Sequence, residues 1–303
     1  MLRFVKILLV LTKARVTAAV TLSTATGFVL FANAVTVEIA APILGVFLLA
    51  CGACALNQVQ ERRIDARMAR TRDRPLPAAQ LDPAVACYVA VTLMLLGVYF
   101  LATIDRHLVT ILALAGFALV WYNGVYTYLK RVSVFAVVPG ALVGAVPVLI
   151  GWSAAGGVAT DLQIMLVGAF FVFWQIPHFW LLVLLRGPEY EQAGLPTLQR
   201  LFGRDQLCRL TFAWLCATAA AGIVVGVVGR TTLPWNLAAL AAGGWLVGTS
   251  LPLLRPTDTT RLFHSAFVKL TIYLILIMGV LILDALTEPV LAANGEITAG
   301  LFR

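Results

Sequence analysis

Nine long apolar runs dominate the chain, at about 16–35, 39–56, 84–103, 108–126, 133–152, 162–185, 207–229, 233–254 and 262–284. Each lies near the roughly 20 residues that a helix needs to cross a bilayer. Glycine and proline interrupt the fourth and fifth runs without ending them. The pattern predicts an all-α, polytopic membrane protein, a bundle of about nine transmembrane helices. No polar linker divides it, so residues 1–303 read as a single domain. Long polar stretches occur twice on one side, at 57–83 and 186–206, four spans apart. That spacing suggests two four-helix halves and a ninth helix, with a charged mouth where the halves meet.

Composition agrees. Of the 303 residues, 61% are hydrophobic and 12% charged, with a mean hydropathy of +0.95. A soluble domain carries about 25% charged residues. Charge is also lopsided. With nine spans and the N-terminus inside, every one of the 22 Lys and Arg except Arg106, Arg230, Arg303 and Lys269 falls on an inner segment. Positive residues mark the cytoplasmic side, so the N-terminus and both long loops are expected there. The formal charge of +8 is then a signature of topology and not of nucleic-acid binding. Residues 1–15, with Arg3, Lys6, Lys13 and Arg15 among leucines and valines, predict a short helix along the inner interface. No cleavable signal or transit peptide is expected before the first span, which points to a bacterial inner (plasma) membrane. Cys51 and Cys54 form a C-x-x-C within an apolar run and without partner ligands, so packing is expected there.

The densest chemistry runs from Asn57 to Pro75, directly after the second apolar run. On a helix, Asn57, Glu61 and Asp65 recur every fourth residue. Each step turns about 400°, so the side chains drift only roughly 40° apiece and share one face. Arg62, Arg63, Arg67, Arg70, Arg72 and Arg74 follow or flank them, and Pro75 is expected to end the helix or open a turn. A solvated, topology-setting loop would account for the arginines but not for an amide and two acids at successive fourth positions. Three oxygen ligands on one face, beside arginines, suit magnesium carrying a diphosphate.

A second polar group begins inside the sixth run, at Phe173-Trp174-Gln175-Ile176-Pro177-His178-Phe179-Trp180. Polar side chains within a membrane are costly and usually face a cavity or a partner. A buried histidine can equally be a satisfied core group, and the sequence leaves both readings of His178 open. Beyond it, Glu189 is the candidate acid across the mouth. Glu191 lies about 200° further round a helix and is expected on the surface. Lys130 and Arg131 fall at the inner end of the fourth run, placed either as phosphate ligands or as ordinary flanking anchors. Arg106, His107 and Asp161 on the other side are expected in solvated loops, and Lys269 is expected to snorkel to the inner interface.

At these residues the chain resembles the UbiA superfamily of intramembrane prenyltransferases, and within it the heme-farnesylating branch. The superfamily pattern Asn-x-x-x-Asp-x-x-x-Asp, with a following Arg-Thr-x-x-Arg-Pro-Leu, is met by Asn57, Glu61 and Asp65 and by Arg70-Thr71-Arg72-Asp73-Arg74-Pro75-Leu76. The branch resemblance rests on Trp174-Gln175-Ile176-Pro177-His178-Phe179, on Glu189-Tyr190 leading to Ala193-Gly194-Leu195-Pro196, on Leu129-Lys130-Arg131, and on the glycine-rich segment from Gly140 to Gly151. Glu61 and Glu189 stand where aspartate is commoner, and Thr197 where methionine is frequent. The resemblance implies farnesyl diphosphate and heme b as substrates, Mg2+ as cofactor, and contact with the bilayer and with heme-handling enzymes. It implies Asn57, Glu61, Asp65 and Glu189 as metal ligands and Asp65, Glu61 and His178 as catalytic groups. Asn57, Arg62, Arg70, Arg74, Lys130, Arg131, Gln175, Glu189 and Tyr190 would bind substrates. A prenyltransferase for a quinone or other aromatic precursor is a near alternative, and a membrane transporter a distant one.

Overall fold

The computed structural model describes residues 2–229, 231–255 and 259–301, with side chains over 4–229, 231–255 and 260–287. Arg230 and Arg303, placed above on the outer side, lie outside the described residues, as does the side chain of Arg3. Among the described residues the secondary structure is helical throughout. A short helix α1 (Leu2–Leu11) precedes α2 (Ala14–Ala32), α3 (Ala40–Asp65) and α4 (Pro83–Ala102). Then come α5 (Leu108–Leu129), α6 (Val137–Ala155), α7 (Leu162–Gln192), α8 (Arg204–Val228), α9 (Leu233–Leu254) and α10 (Thr259–Leu301). The nine from α2 onward are long and apolar enough to span a membrane.

Two large apolar cores and a smaller third hold the bundle. Phe28, Val46, Leu49, Leu101, Ile111 and Ile150 join α2 through α6, while Val29, Phe170, Leu181, Leu215, Leu246 and Tyr273 belong to a larger core that extends to α10. Helices α2 and α6 contribute to both, which ties the halves together. They can do so because their backbones touch. A Cβ on Gly27 would overlap the Val148 carbonyl oxygen, and one on Gly151 the Thr24 carbonyl oxygen. In lipid, small residues of this kind let helices approach closely enough for dispersion to hold them. The outer surface remains greasy, with Leu95, Tyr99, Leu237 and Ile275 more than half exposed.

Helix α1 turns Phe4, Val5 and Leu9 outward and buries Leu11 against Ala55, Val59 and Leu76. It stops at Lys13, whose backbone is left-handed (φ 50, ψ 46). That conformation is uncommon in a residue with a side chain, and it turns the chain sharply into α2.

Two helices overrun the ends read from hydropathy. Helix α3 carries its last turns through the polar motif to Asp65, and α7 continues past Pro177 and Pro188 to Gln192. Arg186 to Glu191 are therefore helical and not loop. Conversely, the motif helix does not extend to Pro75. It ends ten residues earlier because the chain folds back on it: the Thr71 hydroxyl donates to the Asp65 carbonyl (2.8 Å) and caps the terminus. The Lys269 ammonium donates to the Thr249 carbonyl at 2.8 Å, near the end of α9. Arg106 and His107 are likewise engaged, on the carbonyls of Ala155 and Gly156.

Candidate active site

The last two turns of α3 present Asn57, Glu61 and Asp65 to the interior, at 1%, 8% and 2% exposure. Two carboxylates this deep need cations beside them, because an unpaired buried charge is prohibitively costly. Each has one. Arg74, brought round by the turns after α3, donates from Nη1 to Asp65 Oδ2 at 2.8 Å. Lys130, at the end of α5, places Nζ 2.5 Å from Glu61 Oε1 and 5.4 Å from the centre of the Tyr126 ring. A third cation arrives from the N-terminal side. Lys13 Nζ donates to Asn57 Oδ1 at 3.2 Å, and Gln58 Nε2 donates to the carbonyls of Val10 and Leu11, fastening the α1–α2 corner to the motif. Burial lowers the pKa of Lys13, and Lys130, Arg74 and Glu61 lie within its electrostatic reach.

The geometry of α5 makes this meeting possible. Its segment Val120–Tyr126 is a π-helix, a widened turn that often marks a functional site. The Thr127 N–H bonds the Tyr122 carbonyl, five residues back, which frees the Asn123 carbonyl. Gln60 of α3 satisfies it: Gln60 Nε2 donates to Asn123 O at 3.0 Å, while Asn123 Nδ2 donates to Ala53 O and to Gln60 Oε1. The widened turn leaves Tyr122 and Tyr126 stacked, 6.0 Å between centroids, on the row that ends in Lys130. Tyr126 also packs on Phe179 of α7 at 6.3 Å. The Tyr190 phenol completes this wall, within electrostatic reach of Arg70, Glu61, Arg74 and Asp65.

Not every residue singled out by sequence joins the group. Arg62 turns back to the Val59 carbonyl of its own helix (2.9 Å), and Arg131 donates to the Gln60 carbonyl while stacking over Tyr128. Arg62 thus stays on its own helix, while Arg131 braces the end of α5 against α3. Glu189 pairs with Arg186 at 3.7 Å on the partly exposed side of α7. Glu191, expected on the surface, accepts from the Thr197 hydroxyl and so holds the loop after α7. Among the described residues no three acidic, histidine or cysteine side chains come close enough to hold a metal by themselves. Gln175 fits against Gly144 of α6, so tightly that a Cβ there would overlap its Oε1. His178 sits in an aromatic slot, 4.5 Å from Trp174 and 4.6 Å from Phe267, with a buried Nδ1 that has no hydrogen-bond partner. Lys13, Gln60, Tyr122, Tyr126 and Thr127 are participants that sequence reasoning missed. Lys13 could have been suspected from its place three residues beyond the apolar face of α1, and Thr127 from its place one turn before Lys130.

The donor set fits a hydrated divalent ion better than a protein cage. Magnesium usually takes one or two carboxylates, keeps waters and shares substrate phosphates, and the α3 face offers two carboxylates and an amide ringed by cations.

Against known proteins, the pattern of the UbiA prenyltransferase family matches residues 16–275. The chain belongs to that family. It is thus a UbiA prenyltransferase. Among named relatives, the protoheme IX farnesyltransferase of Geobacter sulfurreducens is 38% identical over 224 residues, covering 73% of this chain and 79% of that protein. Further relatives at 32–38% identity bear the same name. UbiA folds are also recovered by shape. A structure described as that of digeranylgeranylglyceryl phosphate synthase superposes with a TM-score of 0.76 at 12% identity, over 93% of this chain and 99% of that one. A UbiA homolog from Archaeoglobus fulgidus bound to DMAPP and Mg2+ superposes with a TM-score of 0.64 at 12% identity, over 90% and 98%.

Proposed function

We propose that this enzyme transfers the farnesyl group of farnesyl diphosphate to a vinyl group of heme b, giving heme O. The observation that carries the reading is the buried α3 face, two acids and an amide each met by a cation, beside the aromatic row that runs from Tyr126 through Phe179 to His178. Likeness to relatives named protoheme IX farnesyltransferase supports the acceptor, and the Archaeoglobus homolog bound to DMAPP and Mg2+ supports a divalent ion.

The diphosphate would lie at the mouth, held by Arg70, Arg74, Lys130 and Lys13, with its isoprenoid tail among the apolar helices. Asn57, Glu61 and Asp65 would hold magnesium, joined by Glu189 once it leaves Arg186. Bound magnesium would offset the diphosphate charge and make it a better leaving group. As that group departs with the bonding pair, Lys130 and Arg74, already oriented by Glu61 and Asp65, stabilise the charge growing on its oxygens. The faces of Tyr122, Tyr126 and Tyr190 border the allylic cation and exclude water from it. The vinyl π bond of heme b then forms the new carbon–carbon bond, and water captures the cation left beside the porphyrin, losing a proton. His178 and Gln175 would border the acceptor, with the unpartnered Nδ1 of His178 available to orient it. Residues 1–303 would act as one unit in the bacterial inner membrane, the α3 face toward the cytoplasm.

Mass analysis of hemes extracted from cells expressing the chain tests this. A farnesylated heme is expected. Prenylated quinone precursor with unchanged heme would move the activity to another aromatic acceptor.

A further inference from the structure

The Asn57 amide has two chemically opposite ends, and its orientation decides whether an oxygen or an N–H2 faces the cations. The contacts around it fix that choice. Thr127, fully buried, donates its single hydroxyl hydrogen to the Tyr122 carbonyl at 2.8 Å. A hydroxyl has one hydrogen, so toward Asn57 it can only accept. It does so, from Asn57 Nδ2 at 3.0 Å. On the far side, the Lys13 ammonium has no lone pair and can only donate, and it meets Asn57 Oδ1. The two constraints are independent and agree. Asn57 Oδ1 therefore faces a place that already attracts a cation.

We propose that Thr127 is a positioning residue, holding the Asn57 amide with its oxygen toward the cations, and that the π-helical turn of α5 exists in part to bring Thr127 there. In a regular α-helix the Thr127 N–H would bond Asn123, and the Tyr122 carbonyl would not carry both the N–H and the hydroxyl of Thr127. The proposal rests on the reading of Asn57 as a ligand for the divalent ion. Without the hydroxyl, only Lys13 still distinguishes the ends of the amide, and when a metal takes the place of that ammonium nothing keeps N–H2 turned away from it. Loss of such an outer partner typically weakens metal binding by 10–100-fold.

The test uses purified full-length protein, titrated with Mn2+ in the presence of farnesyl thiolodiphosphate and followed by EPR, alongside turnover at varied Mg2+. Thr127→Val and Thr127→Ala both remove the hydroxyl, one keeping its volume and the other leaving room, so one serves if the other fails to accumulate. Each should weaken Mn2+ binding and raise the half-activating Mg2+ concentration about tenfold, while kcat at saturating Mg2+ stays near wild type. Thr127→Ser should bind as wild type does. In an Asn57→Ala background, Thr127→Val should add nothing further. Wild-type Mn2+ affinity in both hydroxyl-less variants, or an undiminished Thr127→Val effect without Asn57, overturns the proposal while leaving Asn57 as a ligand. Unchanged Mn2+ affinity in Asn57→Ala itself removes the parent reading and this one with it.

Discussion

At the scale of single residues, the site is a set of ion pairs waiting to be exchanged. Asp65 is 3% exposed in its side chain and Arg74 20%, so their attraction is screened less than a surface pair's and fixes both groups before substrate arrives. Asp65→Asn keeps an oxygen for the guanidinium but loses the charge. It should lower turnover by about 10²-fold or more, the scale of losing one preorganised electrostatic group. Protein level in the membrane and thermal midpoint should remain near wild type, and activity within a few fold of wild type would remove Asp65 from the chemistry. Half of this site could be read from the sequence. Asn57, Glu61 and Asp65 share a face by helix geometry alone, whatever surrounds them. Lys13 and Thr127 are only faintly legible, because their roles depend on a left-handed corner and a widened helical turn, both set by tertiary contact. Arg62 and Arg131 show the converse: the expected charge in the expected segment, with a backbone carbonyl as its partner in this structure.

At the scale of elements, the decisive device is close helix contact. Gly27 and Gly151 sit where α2 meets α6, each facing a carbonyl of the other helix. A methyl group there cannot be relieved by rotating a side chain, since backbone is what it meets. Gly151→Ala should push the two helices apart and destabilise the fold by about 3 kcal/mol, the upper range for overpacking. Gly244→Ala in α9 has open space around it and should be neutral within about 1 kcal/mol. Thermal unfolding of the two variants in the same detergent checks this, and equal midpoints would contradict the crossing. Hydropathy located these helices well in the middle and poorly at the ends. Polar Asn57 to Asp65 and the prolines at 177 and 188 look like helix termini to an apolar window. Yet α3 gains its polar turns from buried cation partners, and α7 tolerates its prolines because neighbouring helices pack on both sides.

At the scale of the whole molecule, one end is chemically rich and the other is not, and this asymmetry has to agree with the direction of insertion. The rich end holds Arg67, Arg70, Arg72 and Arg74 in the turns after α3 and Lys130 and Arg131 after α5. Moving such a loop across a bilayer is what the positive-inside bias opposes. The same arginines that would hold diphosphate are expected also to orient the protein, with the mouth on the side where a water-soluble diphosphate headgroup is made available. Alkaline phosphatase, active only after export, reports this directly. Fused after Gln80 or Val132 it should be inactive, and fused after Asp105 or Thr160 it should be active. The opposite pattern would place the acid face outside and remove the cytoplasmic supply of substrate from the mechanism. Arg74→Ala with Arg72→Ala should leave the pattern intact, because Arg67, Arg70, Lys130 and Arg131 still hold the inner side, yet it should abolish turnover. Separating the two effects in one variant would show that a single cluster of arginines serves topology collectively and catalysis individually.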